Sequence, residues 1–277
     1  MGAIPITPKL ASASFDSIAG TYDDTFSNSP IGRAQRGTVW KEMDRVFQRG
    51  ERILELNCGT GIDAMHMALR GIHVDACDAS PRMIAHAERL ADTATPRGSL
   101  RFRCLQTEAI DALQMDPPYD GVLSNFSGLN CISDLQPVAK TLSKLVRPGG
   151  RVILCVFGTF CLWEVIWYIA VGDFRKACRR FHRHGVDAVL TPTATITVHY
   201  RSVDFLRNAF APDFRLERTQ GVGVVVPPSY AARLASRFPH LFRVAARIDP
   251  FLGRFPIARS VADHVLLTLQ RTKESTS

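Results

Sequence analysis

The sequence lacks any C-x-x-C pair, and its seven cysteines (Cys58, Cys77, Cys104, Cys131, Cys155, Cys161 and Cys178) are odd in number and mostly set in apolar stretches. That pattern argues against a disulfide framework and for reduced, packed thiols. Also missing is a basic start followed by an apolar run and a small-residue cleavage site, so export is not expected and a cytoplasmic protein is. There are no internal repeats and no low-complexity linkers, which leaves out solenoids and tethered modules. Lysine is scarce: it supplies six of the 34 cationic residues, so the formal charge of +8 is an arginine charge. A basic balance suits polyanions. Arginine excess of this kind also follows from GC-rich coding sequence, and on that reading no nucleic-acid partner is expected.

What is present is enough apolar material, 46% of 277 residues, for one sizeable core. The longest apolar run, "VILCVFGTFCLWEVIWYIAVG" at 152–172, has the length of a membrane span. Gly158 divides it into a β-branched strand and an aromatic helix, however, and Glu164 would lie near the bilayer centre at a cost of several kcal/mol. The expectation is a buried strand followed by a hydrophobic lid, with no stable membrane insertion.

From Arg52 the chain reads as strand ("RILEL"), glycine turn ("NCGTG") and helix ("IDAMHMALRG"). A second unit follows, with "HVDACD" as strand and "SPRMIAHAERLAD" as helix, capped by Ser80 with Pro81 in the first helical position. "RFRCL", "YDGVLSN", "RVILCVF" and a final "DHVLLTLQR" read as further strands. Apolar strands alternating with helices predict a parallel sheet covered on both faces, the doubly wound α/β class. A strand, an acidic residue and a glycine turn at a helix N-terminus form a nucleotide cradle. A dinucleotide fingerprint fails, because Asn57 and Ile62 stand where glycines are required beside Gly59. No lysine or arginine stands at the turn to receive a phosphate, and the carboxylates nearby suit hydroxyl and ammonium donors.

"ELNCGTG" resembles the first motif of the class I S-adenosylmethionine-dependent methyltransferases, E/D-x-G-x-G-x-G, with Asn57 at the first glycine position. Asparagine enters the left-handed region readily, so the turn survives the exchange. The likeness continues through "DAS", "QTEAI", "LSNFSG" and "LVRPGGRVIL", covering about residues 50–157, and "FDSIAGTYD" is similar to the N-terminal segment of small-molecule, ubiquinone-biosynthesis-type members. The resemblance implies a Rossmann-like, seven-stranded methyltransferase sheet with an N-terminal helical cap (1–49), a cofactor core (50–157), an aromatic lid insertion (158–200) and a C-terminal substrate-side region with the last strand (201–277), all one domain. It implies S-adenosyl-L-methionine as cofactor and S-adenosyl-L-homocysteine as product. Glu55 would face the methionine amino group, and the backbone at Asn57, Cys58, Gly59 and Gly61 would line methionine and ribose. Asp78 would hold the ribose hydroxyls, with Ala79 and Met83 against the adenine. Thr107, Glu108 and the Ala109 amide would border the adenine, while Asn125, Phe126 and Tyr22 would approach the methyl-donating end. Each residue alone also suits a structural role such as a helix cap; five motifs in order do not.

The tetrapeptide Asp116-Pro117-Pro118-Tyr119 imitates the base-holding motif of enzymes that methylate adenine in DNA. Those enzymes place it after the fourth strand, at the carboxyl edge where catalytic groups of open α/β sheets lie. Here it precedes that strand, one strand length away. A loop is predicted, and "SNFSGLN" should face the substrate instead.

Substrate specificity is expected in the insertion, which carries Phe160, Trp163, Trp167, Tyr168, Phe174 and Phe181 and the cations Arg175, Lys176, Arg179, Arg180 and Arg183. The aromatics would roof the acceptor and exclude water, or simply pack. The cations would draw in an acidic group, or form a solvated face. Cys178, His182 and His184 match no metal cage, so no metal is expected. His182, His184 and His199 are candidate bases, with Tyr22 and Glu164 behind them. In-line alignment of nucleophile, methyl carbon and leaving sulfur requires no base at all. Residues 230–259 form an arginine-studded amphipathic stretch suited to a pocket cover, a second subunit or an anionic membrane. The expected activity is methyl transfer to O or N of a small-molecule acceptor in biosynthesis, with a homodimer as one arrangement. An inactive methyltransferase-like scaffold, an RNA or DNA methyltransferase and an arsenic methyltransferase are the alternatives.

Overall fold

The computed structural model describes residues 12, 14–113, 117–182 and 184–272. A seven-stranded sheet runs in the order β3-β2-β1-β4-β5-β9-β8, with β1 Arg52–Leu56, β2 His73–Asp78, β3 Leu100–Cys104, β4 Tyr119–Ser124, β5 Val146–Phe157, β8 Phe214–Val222 and β9 His264–Arg271. Successive residues of the central strands enter opposite faces, as the two-residue period requires. Leu54, Val122, Leu154 and Leu267 join the apolar cluster on one side, while Ile53, Leu123, Ile153 and Leu266 join that on the other. Both faces are covered, which is why these strands read as unbroken apolar runs.

The sheet is mixed, which corrects the expectation of a parallel one. β9 pairs antiparallel with both β5 and β8. Its apolar run resembles that of a central parallel strand because it lies between two neighbours. β8 escaped detection because this edge strand alternates buried Phe214 with exposed Arg215 and partly exposed Leu216 before becoming buried at Gln220–Val222. A second sheet was also unforeseen: β6 Val186–Thr191 and β7 Ala194–Val198 form an antiparallel hairpin within the insertion.

Register fixes where ligands can bind. Leu56 lies opposite Cys77 and Ser124, and Ser124 opposite Leu154, so the turns after β1, β2 and β4 leave one edge together. The apolar run at 152–172 divides as the glycine implied, into the end of β5 and a helix at Leu162–Ala170. Among the described residues no helix is long and apolar enough to cross a membrane. Tyr119 opens β4 with its side chain buried and its hydroxyl donating to Asp75 at 3.0 Å, on the edge away from the cradle. Asp116 of the same tetrapeptide lies outside the described residues.

Candidate active site

After β1 the backbone turns through left-handed residues, Asn57 at φ 56°, Gly59 at φ 54° and Gly61 at φ 79°. Asn57 does more than tolerate that conformation. Its amide nitrogen donates to Thr107 Oγ1 at 3.0 Å, and its amide oxygen accepts from Ser124 Oγ at 3.3 Å, tying the segments after β1 and β3 to the end of β4. A glycine there would lose both bonds. Gly61 is needed for packing, since a Cβ would meet that of Ala87 at 2.7 Å, whereas a Cβ on Gly59 would enter open space.

Asp78, at the end of β2, braces the same turn. Its two oxygens accept from the amides of Gly59 and Ser80, each at 2.9 Å. Burial pushes this carboxyl above its ordinary range, and the two backbone donors oppose the rise. Ser80 Oγ in turn donates to Asp16 at 2.5 Å, closing the N-terminal segment over the site.

Beneath the turn, Glu55 is 1% exposed and its Oε2 has no hydrogen-bond partner among the described residues. Burial first, then the charge of Asp63, holds its carboxyl well above the usual range, with Arg36 pulling the other way. Asp63 is saturated by comparison: it accepts from Arg36 at 2.5 Å, Trp40 at 2.6 Å and Asn125 at 2.8 Å. Arg36 also lies over the Phe126 ring, 4.8 Å from its centroid. Tyr22 is pushed up to about 12 chiefly by burial and stays a neutral phenol at ordinary pH.

These groups surround a cavity of about 640 Å³, within the range of small-ligand sites. Of the residues the sequence suggested, Tyr22, Asn57, Cys58, Gly59, Asp78, Ala79, Met83, Thr107, Glu108, Asn125 and Phe126 line it, as do His184 and His199. Glu55 and Gly61 do not appear in its wall: the first lies under the turn and the second faces the neighbouring helix. The Ala109 amide is already donating to Gln106 O at 3.0 Å, which leaves it unavailable to an adenine ring. His182 is exposed and borders a separate hollow beside Arg175, Lys176 and Arg179, so it is removed as a base for this cavity. Glu164 is removed as well, being 1% exposed and paired with Arg179 at 2.7 Å and Arg180 at 3.0 Å. That pairing takes two of the supposed anion-drawing cations; Arg183 lies outside the described residues.

Arg36, Asp63, Asp187 and Thr197 also line the cavity and were not anticipated. Arg36 lies within a 17-residue helix, Pro30–Val46, whose pattern gives no sign that one cation turns inward. Asp63 reads as an ordinary acid in a first helical turn. Asp187 and Thr197 depend on the hairpin, where Thr197 Oγ1 donates to Asp187 Oδ1 at 2.8 Å.

Residues 53–150 match the family described as methyltransferase domain. That segment, about a third of the chain, is similar to methyltransferase domains. Among curated relatives the chain is similar to the demethylmenaquinone methyltransferase of Clavibacter sepedonicus, 32% identical over 55% of this chain and 60% of that protein. It is also similar to the tRNA 5-carboxymethoxyuridine methyltransferase of Escherichia coli K12, 28% identical over 58% of this chain and 61% of that one. The match thus spans about three-fifths of the length of these relatives. In fold it resembles the cyclopropane synthase MmaA2 from Mycobacterium tuberculosis, with a TM-score of 0.63, 14% identity, and coverage of 98% of this chain and 100% of that one. The family's cofactor is S-adenosylmethionine, and the methyltransferase core has the groups to receive it. Glu55 keeps a buried carboxyl oxygen with no hydrogen-bond partner among the described residues, Gly59 opens onto free space, and Asp78 keeps lone pairs for hydroxyls after accepting two amides.

Proposed function

We propose that this chain is an S-adenosylmethionine-dependent methyltransferase acting on a small-molecule acceptor seated against the β6–β7 hairpin. The observation that carries this reading is that cradle residues and hairpin residues line the same cavity: Gly59 and Asp78 belong to it, and so do Asp187, Ile196, Thr197 and His199. When bound, the cofactor supplies an electrophilic methyl group on a sulfonium. In this reading Asp78 holds the ribose hydroxyls and Glu55 serves the methionine ammonium, while Arg36 stays paired with Asp63. Phe126 and Tyr22 exclude water from the reacting region, raising the strength of every polar contact there. Alignment of the acceptor is the main contribution, with proton removal secondary.

Among the described residues His199 and His184 are the imidazoles that line the cavity. Burial, then the nearby Arg201 charge, lowers the His199 pKa below its ordinary value, so it is neutral near pH 7 and able to accept a proton. The His199 amide donates to Asn130 O at 2.7 Å and its carbonyl accepts from Asn130 Nδ2 at 2.7 Å, which fixes the backbone that carries the ring. His199 is therefore the proposed base where the acceptor needs one.

The relatives' names offer a lipid quinone precursor and a tRNA nucleoside as acceptor types. A polyanion would require free cations around the opening. Among the described residues Arg36 is the one lysine or arginine in the cavity wall, and Asp63 neutralises it. A small acceptor is the better fit. The test has two stages. Calorimetry should detect S-adenosylhomocysteine binding, and extracts incubated with protein and cofactor should gain a product heavier by one methylene. Binding of the product without turnover on any fraction would point to an inactive scaffold. A steeply salt-dependent association with tRNA would point to the polyanion.

A further inference from the structure

The Pro239–Leu252 helix has two apolar faces, and among the described residues one of them is packed. Phe242 and Ala246 pack against Ile31, Val226 and Ala235. On another face, Leu241, Val244, Ile248 and Phe251 recur at helical spacing and are 68, 53, 44 and 57% exposed. The single acid of residues 230–260 is Asp249, and it points inward, accepting from the amides of Gly223, Val225 and Val226. Arg233, Arg237, Arg243, Arg247 and Arg254 of the same stretch are exposed, and among the described residues none forms an ion pair.

A second exposed arc adjoins the first region. Leu162, Ile166 and Ile169 lie on one face of the Leu162–Ala170 helix, 42, 52 and 50% exposed. The two regions touch, since the Tyr230 ring lies 6.1 Å from Trp167 and 5.4 Å from Tyr168, and the Leu162 amide donates to Val261 O at 3.0 Å. Both leave the sheet at the edge where the cavity lies, because Val222 pairs with His264 and His264 with Phe157. Exposed apolar patches of this extent mark interaction surfaces.

We propose that this surface docks on an anionic lipid bilayer, with the apolar residues entering the interface and the arginines meeting lipid headgroups. Charge decides between the candidate occupants. A symmetric contact with a second copy would set each arginine cluster against its own image without an acid to separate them. An anionic bilayer complements both the arginines and the apolar arcs, the combination by which amphipathic helices lie in a membrane surface.

The full chain is mixed with phosphatidylcholine vesicles, with or without phosphatidylglycerol, and bound protein is separated by flotation. Binding is expected only with phosphatidylglycerol, weakening as salt rises. Arg243→Gln with Arg247→Gln should lower the partition coefficient by about thirtyfold, and Leu241→Ser with Phe251→Ser should lower it comparably at low salt. Leu241→Ser alone, at a side chain 68% exposed, carries little folding risk and should also lower binding. An unchanged melting shift with S-adenosylhomocysteine shows that each variant is folded with its cavity intact. The proposal is overturned if wild type ignores anionic vesicles, or if no substitution alters its binding. A concentration-dependent dimer abolished by Phe251→Ser would also overturn it, assigning the surface to a second copy.

Discussion

Two glycines separated by one residue should respond to alanine differently, one chiefly in ligand affinity and the other chiefly in stability. At Gly59 the backbone is left-handed, so alanine costs about 1–2 kcal/mol of stability, but its Cβ meets no atom within 4 Å. A chain of this size loses about 2–4 °C of melting temperature per kcal/mol, which makes the expected drop only a few degrees. The new methyl nevertheless occupies the space kept open toward the cavity. Affinity for S-adenosylhomocysteine should fall at least tenfold, or about 1.4 kcal/mol. At Gly61 the same left-handed cost applies, and the added Cβ also meets Ala87 Cβ at 2.7 Å, Ala87 Cα at 3.1 Å and a Phe102 ring carbon at 3.2 Å. Overpacking of this kind adds about 1–3 kcal/mol, so Gly61→Ala should be clearly the less stable protein. Thermal melts without ligand rank the stabilities, and calorimetry on the folded proteins ranks the affinities. If Gly59→Ala binds like wild type, the ligand does not lie against that residue and the cradle is misplaced. If the two variants melt together, the helix does not approach the turn as closely as the collision with Ala87 requires.

Asp78→Ala removes a carboxylate that both braces the turn and faces the cavity; with charge-assisted bonds of about 1.5–3 kcal/mol each, a hundredfold loss of S-adenosylhomocysteine affinity by calorimetry is expected. Glu55→Gln should stabilise the ligand-free protein while weakening ligand binding, because it replaces a carboxyl that burial disfavours when ionised. The sign follows from the raised pKa: the native state holds its proton longer, so wild type loses stability as pH rises above the ordinary glutamate value. The gap between variant and wild type, measured by urea titration, should widen over that interval. Asp263 behaves oppositely. Burial would raise its pKa, but His264 and Arg180 beside it hold the carboxyl well below the ordinary range. Its contribution is therefore present above the unfolded aspartate value near pH 4 and is lost as pH falls toward the depressed one. Asp263→Asn should flatten that part of the acid-unfolding curve. Arg180→Met leaves Glu164 and Asp263 short of a partner in the interior and should cost about 3–5 kcal/mol, read from the same titrations.

Local order along the chain determined the strands β1 to β5, the glycine turn and the acidic residues near it. Each of these depends on neighbours within a few residues: an apolar run, a left-handed turn, a carboxylate at a strand end. Asn57, Asp78 and Phe126 were legible for that reason, and they line the cavity. Tertiary structure alone decided what depends on distant partners. The direction of β9 follows from pairing with β5 and β8, which its apolar pattern does not encode. Arg36 becomes part of the cavity because its helix lies where Asp63, 27 residues later, can neutralise it. The three histidines of the insertion looked alike as sequence. His184 and His199 flank the β6–β7 hairpin and line the cavity while His182 borders a separate hollow, a difference set by where the folded hairpin lies and not by residue type.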